Sequence, residues 1–381
     1  MHRMVSSSSH VLSEPAKTMA CENSKRPDPD RSWGGLRYRN PFGNKYRVGW
    51  IGLGSMGIGM SKNLQKYLKS VSAPALIFTN RTISRGEPLK ELGAIPVETV
   101  KEVASKSDII FSCVSNDAVL QKTAEEIIAS GSIHGKIYVD CSTVHPDTSV
   151  KIAEQITAAG GEFVAGPVFG ASPMAEAGKL IFVIAGPETA TTKIAPYLKD
   201  VMGRSVIPMG PVVSQSSLLK IAGNICVVSF MEVISEAHVF AEKTGLGSAI
   251  LETMIGDMFG PVLESYSKRL TTGAYAPEPT GKAGFDVALA MKDARHALNC
   301  AQTAGTRLQV SEVALRNMEK ASQYGEELGG RPLDSSAMYG TIRREAGLDF
   351  YTDLLYWSRS LPLTKREPRS SAPFSLVGGS L

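Results

Sequence analysis

The sequence predicts an α/β fold, in which a mostly parallel sheet with helices on both faces precedes a long helix and a helical second domain. Strand and helix patterns alternate from Tyr46 to about Pro211, as they do when helices join parallel strands. Strand patterns then largely stop, and residues 214–243 are apolar on nearly every side, which is typical of a buried helix. Helical patterns continue from Leu246 to Glu345.

Local signals set the boundaries of the predicted elements. Proline suits the first turn of a helix, because its missing N–H would have no partner there. Helices are therefore predicted to begin near Pro146 and Pro187, and also near Ser55 and Asp117. Strands are predicted at Tyr46–Ile51, Ala75–Thr79, Asp108–Val114, Lys136–Asp140, Glu162–Ala165, Leu180–Ala185 and Ser205–Ile207.

The composition narrows the class of protein. The 381 residues carry 41 Lys and Arg against 37 Asp and Glu, a net charge of +4, whereas nucleic-acid-binding proteins usually carry a basic surplus. With 43% apolar residues, the chain can form cores for about two or three domains. The longest uncharged run, Ser205–Leu219, is too short to cross a bilayer and contains two prolines, so no transmembrane helix is predicted. The expected partner is a small-molecule substrate.

The cysteines and histidines show no metal-binding spacing. An odd number of cysteines without a C-x-x-C pair argues against a disulfide framework or a zinc site, and favours a reducing compartment. We expect most of them to be small buried side chains. The histidines show no catalytic triad either, so no metal is expected. The residues concerned include Cys21, Cys113, Cys141, Cys226 and Cys300, with five of the six histidines, His10, His134, His145, His238 and His296.

Both ends of the chain differ from its centre. Residues 1–44 include four consecutive serines and show no helical or strand periodicity, which predicts a disordered extension. A mitochondrial transit peptide is the alternative, but four acidic residues in this segment depart from its acid-poor signature, so a cytoplasmic location is favoured. The predicted divisions are 1–44 (extension), 45–211 (sheet domain), 212–243 (long helix), 244–350 (helical domain) and 351–381 (flexible tail).

A glycine-rich turn joins the first strand to the first helix. It reads Gly52-Leu53-Gly54-Ser55-Met56-Gly57, and the G-x-G-x-x-G pattern between a strand and a helix is typical of dinucleotide binding. Gly52 permits the tight turn, Gly54 lets the backbone approach a pyrophosphate, and Gly57 lets the helix pack on the strand. Without its context, the motif could be a plain glycine-rich loop.

The end of the second predicted strand bears on which dinucleotide binds. NAD-binding domains usually place Asp or Glu here to contact the ribose hydroxyls. This chain has Asn80-Arg81-Thr82, which offers no carboxylate to repel a 2′-phosphate and an arginine that can pair with one. We therefore predict NADP(H) in preference to NAD(H). The alternative is that Arg81 is an ordinary surface arginine.

Further polar groups follow strands of the predicted sheet, where open α/β sheets bind their ligands. One strand runs into Cys113-Val114-Ser115 and another into Ser142-Thr143. The latter hydroxyls could hold a substrate carboxylate or the nicotinamide ribose, or could cap the next helix. The loop at 166–173 could bind an anion through the backbone N–H groups of Gly170 and Ala171, or could be a plain surface loop.

Two lysines lie in apolar helical sequence. Lys220 and Asn224 are four residues apart and therefore share a helix face. A desolvated lysine has a lowered pKa and can exchange a proton near neutral pH, although a lysine in the first turn could also extend into solvent. Lys292, next to Asp293, could reach the cofactor, or the two could form a surface ion pair worth little.

In their order and spacing, these segments resemble the β-hydroxyacid dehydrogenase family, in the 6-phosphogluconate dehydrogenase superfamily, from about Tyr46 to Gly347. The resemblance implies a Rossmann-type doubly wound sheet, a long interdomain helix and an all-α C-terminal domain that often forms homodimers or homotetramers. It implies that Lys220 is the catalytic acid/base and that Asn224 orients the substrate. It also implies a substrate site at Ser142, Phe169, Gly170 and Ala171, and further cofactor contacts at Cys113, Val114, Ser115, Thr143 and Lys292.

One segment departs from the family pattern. The family usually reads Pro-Val-Ser-Gly-Gly where this chain has Phe169-Gly170-Ala171 after Pro-Val, which predicts a bulkier or less polar substrate. The predicted reaction interconverts a 3-hydroxy acid, or related alcohol, and its aldehyde or ketone by hydride transfer to or from NADP(H). An imine reductase usually lacks the lysine, and a dinucleotide-binding interaction module has lost it. The presence of Lys220 and Asn224 argues against the interaction module. Lys220 also argues against an imine reductase, but Phe169 leaves that alternative open.

Overall fold

A six-stranded parallel sheet forms the first half of the structure. The computed structural model describes residues 46–278, 281 and 283–352, so the predicted extension 1–44 and the tail beyond residue 352 lie outside the described residues. The strand order is β3-β2-β1-β4-β5-β6, which is the order of a doubly wound sheet, as predicted. The strands are β1 (Val48–Ile51), β2 (Ile77–Thr79), β3 (Ile95–Pro96), β4 (Ile109–Ser112), β5 (Ile137–Asp140) and β6 (Glu162–Ala165).

A second, three-stranded sheet follows. Two of its strands were predicted, at Leu180–Ala185 and Ser205–Ile207, but the sequence did not predict that they form a separate sheet. Strand β7 (Val168–Phe169) is antiparallel to β8 (Leu180–Ile184), and β8 is parallel to β9 (Gly203–Pro208). A two-residue strand is too short to show an alternating pattern. The segment at 166–173, predicted as a loop, therefore contains the edge strand of this sheet.

Helices cover both faces of the larger sheet, and the strand residues pack into two separate apolar clusters. Val48 and Trp50 of β1 lie in one apolar cluster, and Ile110 of β4 lies in another. The predicted helix starts at Ser55, Asp117 and Pro146 are confirmed, whereas Pro187 is the N-cap and not the first helical residue. The helices are α1 (Ser55–Ser70), α2 (Glu87–Glu91), α3 (Val100–Lys106), α4 (Asp117–Ile128), α5 (Pro146–Ala158), α6 (Ser172–Glu176) and α7 (Glu188–Ile194).

The second half of the described structure is helical. Helix α8 (Val213–Thr244) matches the predicted long helix within one residue at each end, and Gly245, with a φ of +77°, ends it. It contacts β6 and β8 of the two sheets as well as the helices that follow it. These are α9 (Ser248–Phe259), α10 (Pro261–Thr271), α11 (Val287–Thr303), α12 (Gln309–Glu327) and α13 (Met338–Glu345). The predicted domain boundaries stay a prediction.

By length and composition alone, α8 is apolar enough to cross a membrane, contrary to the expectation from uncharged runs. Its most apolar stretch of 18 residues has a mean hydropathy of 1.7, and 39% of that stretch is buried inside the protein. The core helix of a globular protein meets the same criterion. Asn224, Glu232 and His238 are buried polar residues of α8 that the surrounding protein contacts.

The cysteines are less buried than predicted. Of the four in the described residues, Cys141 is buried, Cys113 and Cys300 are half-buried, and Cys226 is exposed. All four are free thiols.

Candidate active site

The glycine-rich turn has the shape that its sequence predicts. Gly52 has a φ of +96°, and a Cβ there would lie 2.3 Å from the carbonyl oxygen of Cys113. A Cβ on Gly57 would lie 2.3 Å from the carbonyl oxygen of Gly52. Gly54 is the N-cap of α1, and a Cβ added to it would have no other atom within 4 Å. The open space beside Gly54 leaves room for a pyrophosphate at the N-terminus of α1, where the motif predicts it.

Asn80 holds this turn against the end of β2. Its Oδ1 accepts a hydrogen bond from the Leu53 N–H at 2.8 Å, and its Nδ2 donates to the carbonyl of Thr82 at 2.8 Å. Arg81 and Thr82 are exposed beside it. Within the described residues, no hydrogen bond or ion pair engages the Arg81 guanidinium, so this cation remains available to an anionic ligand. The sequence could not show that Asn80 has this structural role.

Ser142 lies in a buried hydrogen-bond network at the ends of β4 and β5. Its Oγ donates to Asp140 Oδ1 at 2.7 Å and accepts the Val114 N–H at 2.8 Å. Ser112 Oγ also donates to Asp140 Oδ1, at 2.7 Å. Burial raises the pKa of Asp140 to about 6, although both hydroxyl hydrogen bonds lower it. The single proton of the Ser142 hydroxyl is therefore engaged by a carboxylate that sequence reasoning did not include in the site.

Lys220 is half-buried and lies on the same face of α8 as the buried Asn224. Its Nζ donates to Asn224 Oδ1 at 3.0 Å and lies 4.6 Å from the ring centroid of Phe169. Burial lowers the pKa of Lys220 to about 8; the Asp293 carboxylate raises it and the Lys292 ammonium lowers it. The group can therefore exchange a proton close to neutral pH, as predicted for a desolvated lysine.

Asp293 connects these groups to the loop after β5. Asn224 Nδ2 donates to Asp293 Oδ2 at 2.6 Å, and Lys292 Nζ lies 2.8 Å from Asp293 Oδ1. Lys292 also donates to the carbonyl of Thr143. Since Asp293 is buried, this is no surface ion pair. The Asp293 carboxylate accepts from the Asn224 Nδ2 and so orients the amide with its oxygen toward Lys220. Sequence reasoning noted the Lys-Asp pair but gave Asp293 no role.

The loop after β7 lies beside the first turn of α1. Gly170 has a φ of +127°, and a Cβ there would lie 2.7 Å from Leu180 Cδ2. Ala171 is the N-cap of α6, and Ser172 Oγ lies 4.0 Å from Met56 Sδ in the first turn of α1. The structure thus brings this loop next to the glycine-rich turn, whereas Ser115 is exposed and shows no such contact.

Two histidines join α11 to the sheet domain. His296 Nε2 lies 2.9 Å from Asp117 Oδ2, and His145 Nε2 lies 3.4 Å from Cys300 Sγ. Burial by itself would raise the pKa of Asp117. Its hydrogen bonds with His296, the His145 backbone and Thr148 outweigh burial and hold the pKa well below its ordinary value. Within residues 46–278, 281 and 283–352, no group of three or more His, Cys, Asp or Glu residues could hold a metal ion.

Comparison with known proteins identifies the family. Residues 47–210 match a family model described as the NAD binding domain of 6-phosphogluconate dehydrogenase, and residues 215–342 match one described as NAD-binding of NADP-dependent 3-hydroxyisobutyrate dehydrogenase. The NADH-dependent oxidoreductase ucdB of Aspergillus ustus is 31% identical over 300 residues, covering 78% of this chain and 99% of that protein. Glyoxylate/succinic semialdehyde reductase 1 of Arabidopsis thaliana is 32% identical over 303 residues, covering 78% and 98%.

A solved structure shares the fold. The 3-hydroxyisobutyrate dehydrogenase (ygbJ) from Salmonella typhimurium superposes with a TM-score of 0.67 at 22% identity, covering 77% of this chain and 99% of that chain. The likeness extends over the parallel sheet, the long helix and the helical region, and it agrees with the predicted architecture.

Proposed function

This chain belongs to the β-hydroxyacid dehydrogenase family, and on that premise we propose that it interconverts a 3-hydroxy acid, or a related alcohol, and its aldehyde or ketone with Lys220 as the proton donor. The family's members are NAD(P)-dependent oxidoreductases, and this chain is one of them. The observation that carries the proposal is the contact of Lys220 with Asn224 and, through Asn224, with the buried Asp293. An interaction module without activity would have no need for a desolvated lysine held in this way.

Lys220, Asn224 and Asp293 have different roles in the proposed reaction. The bound nicotinamide cofactor supplies or accepts the hydride. The Lys220 ammonium donates its proton to the carbonyl oxygen of the substrate during reduction, and the neutral amine takes the proton back during oxidation. Asn224, held by Asp293, keeps Nζ in place and helps to orient the substrate. General acid assistance of this kind accelerates reactions by about 10²–10⁴-fold.

A substrate panel tests the reaction class. Purified enzyme with NADPH should reduce members of a set of aldehydes and β-keto acids, and should leave cyclic imines unreduced. Reduction of the imines alone would favour an imine reductase. The names of the relatives include glyoxylate and succinic semialdehyde, and both compounds belong in the panel.

NADP(H) is the cofactor that we propose, because Arg81 is exposed and unpaired within the described residues next to the phosphate turn. A charge-assisted pair with the 2′-phosphate would make NADPH bind more tightly than NADH. The Arg81→Ala variant should lose about 10- to 100-fold in kcat/KM for NADPH and little for NADH. Lys66→Ala removes an exposed cation from the far end of α1 and is the matched control. One relative is named as NADH-dependent, so both cofactors have to be compared. A wild-type preference for NADH would overturn the assignment.

A homodimer, or a homotetramer built from it, is the assembly that we propose. One face of α9 presents Ile250, Met254 and Met258 to solvent, and Phe240 of the adjoining helix α8 is 65% exposed. Single exposed apolar side chains are ordinary, but a contiguous face marks an interaction surface. Light scattering of the purified chain should give at least the dimer mass, and Met258→Asp should give the monomer. A monomeric wild type would contradict this proposal.

A cytoplasmic location is the one that we propose, since the acidic residues of segment 1–44 fit a transit peptide poorly. The full chain, tagged at its C-terminus and expressed in a eukaryotic cell, should fractionate with cytosolic markers. Recovery of a shortened chain from mitochondria would contradict this.

A further inference from the structure

Phe169 occupies a fixed position beside the proposed proton donor. Its ring centroid lies 4.6 Å from Lys220 Nζ. It also packs so closely on α8 that a Cβ added to Gly223 would lie 2.2 Å from Cε1 and 2.4 Å from Cζ of the ring. Any side chain at position 223 would displace the ring. Since Phe169 is only half-buried, part of its surface remains open to a molecule that approaches Lys220.

The ring changes what this side of the site can bind. The face of an aromatic ring carries partial negative charge, which attracts the Lys220 ammonium and repels a carboxylate. A phenylalanine side chain has no hydrogen to donate to a carboxylate oxygen. It does offer apolar surface, which favours an alkyl or aryl group on the substrate.

The hydroxyl of Ser142, one of the two that could hold a substrate carboxylate, is already engaged. Ser142 gives its one proton to Asp140 and uses a lone pair to accept the Val114 N–H. A substrate carboxylate at Ser142 would therefore have to displace an existing hydrogen bond. It would also meet the Asp140 carboxyl group, which is two residues away and buried.

The neighbouring cation Lys292 is engaged as well. Lys292 forms its ion pair with Asp293 and donates to the Thr143 carbonyl. Among the described residues around this site, Lys220 is then the cation that remains to contact a substrate. In the proposed reaction its proton goes to the carbonyl oxygen of the substrate. A carboxylate beside the reacting carbon would compete with that oxygen for the same ammonium.

We propose that Phe169 determines substrate specificity by selecting aldehydes or ketones whose second substituent is uncharged and apolar, over carbonyl acids of the same length. This inference rests on the proposed function. The backbone N–H groups at 170 and 171 would then hold a neutral oxygen, such as that of an ester, as readily as a carboxylate.

Matched pairs of carbonyl compounds test the inference with the full-length enzyme and NADPH. Succinic semialdehyde is compared with methyl 4-oxobutanoate, and glyoxylate with methyl glyoxylate. We expect kcat/KM for each ester to exceed that for its acid by at least about tenfold, because the acid leaves a carboxylate poorly paired. An equal rate or a preference for the acids, with turnover intact, would overturn this inference and leave the proposed function standing. Failure to reduce any carbonyl compound would overturn both.

Two variants assign the effect to the ring. Phe169→Ser introduces a hydroxyl and should shift the ester-to-acid ratio of kcat/KM by at least about tenfold toward the acids. Phe169→Leu, the control, keeps an apolar side chain of similar size and should preserve the preference for esters. If the serine variant fails to fold, the leucine variant still decides, since a preference for acids in it would contradict selection by an apolar side chain. Equal ratios in all three proteins would also contradict the role of Phe169.

Discussion

The pH dependence of reduction should report the protonation state of Lys220. Burial lowers its pKa to about 8. About nine-tenths of the enzyme would therefore carry the ammonium at pH 7, half at pH 8 and about one-tenth at pH 9. Since reduction needs the protonated form, kcat/KM for an aldehyde that does not titrate should fall about tenfold per pH unit above 8. Oxidation of the alcohol needs the neutral amine and should rise over the same range.

A single substitution changes this midpoint in a known direction. Asp293 raises the pKa of Lys220, so Asp293→Asn should move the midpoint of the reduction profile below 8. Stopped-flow measurement of NADPH oxidation from pH 6 to 10 gives the profile for both proteins. A wild-type profile that stays flat between pH 7 and 9 would refute the assignment of Lys220, and so would a midpoint that rises in the variant.

Two further predictions concern stability and the phosphate turn. Burial raises the pKa of Glu232 from 4.5 to about 7, so the folded state loses about 3 kcal/mol as the pH rises from below 4.5 to above 7. In urea titrations, Glu232→Gln should gain about 2 kcal/mol relative to wild type between pH 5.5 and 8.5, and an unchanged difference would contradict the burial argument. Gly57→Ala should lower both Tm and NADPH affinity, because its Cβ would clash with the Gly52 carbonyl. Gly54→Ala has open space and should lower the affinity alone, whereas an equal loss of Tm would contradict this reading of the turn.

The sequence predicted those parts of the site that depend on local spacing. The G-x-G-x-x-G turn follows from a strand, a turn and a helix in succession, and the shared face of Lys220 and Asn224 follows from the period of one helix. The long helix was found within one residue at each end because its apolar character is continuous.

Contacts between distant segments were beyond sequence reasoning. Asp140 belongs to the site because β4 and β5 are neighbours, which places Ser112 and Ser142 around it. The contact of Phe169 with Gly223 joins β7 to α8 across more than fifty residues, and β7 itself is too short to show a strand pattern. A glycine inside an otherwise apolar helix was the one signal in the sequence that something packs closely there.

The role of Lys220 can be measured most directly by separating chemistry from cofactor binding in Lys220→Ala. We expect the variant to bind NADPH with nearly the wild-type Kd, as read from fluorescence titration, because the phosphate turn is untouched. Its turnover of an aldehyde that the wild type reduces should fall by about 10²–10⁴-fold. Near-normal turnover in a variant that still binds NADPH would show that another group supplies the proton.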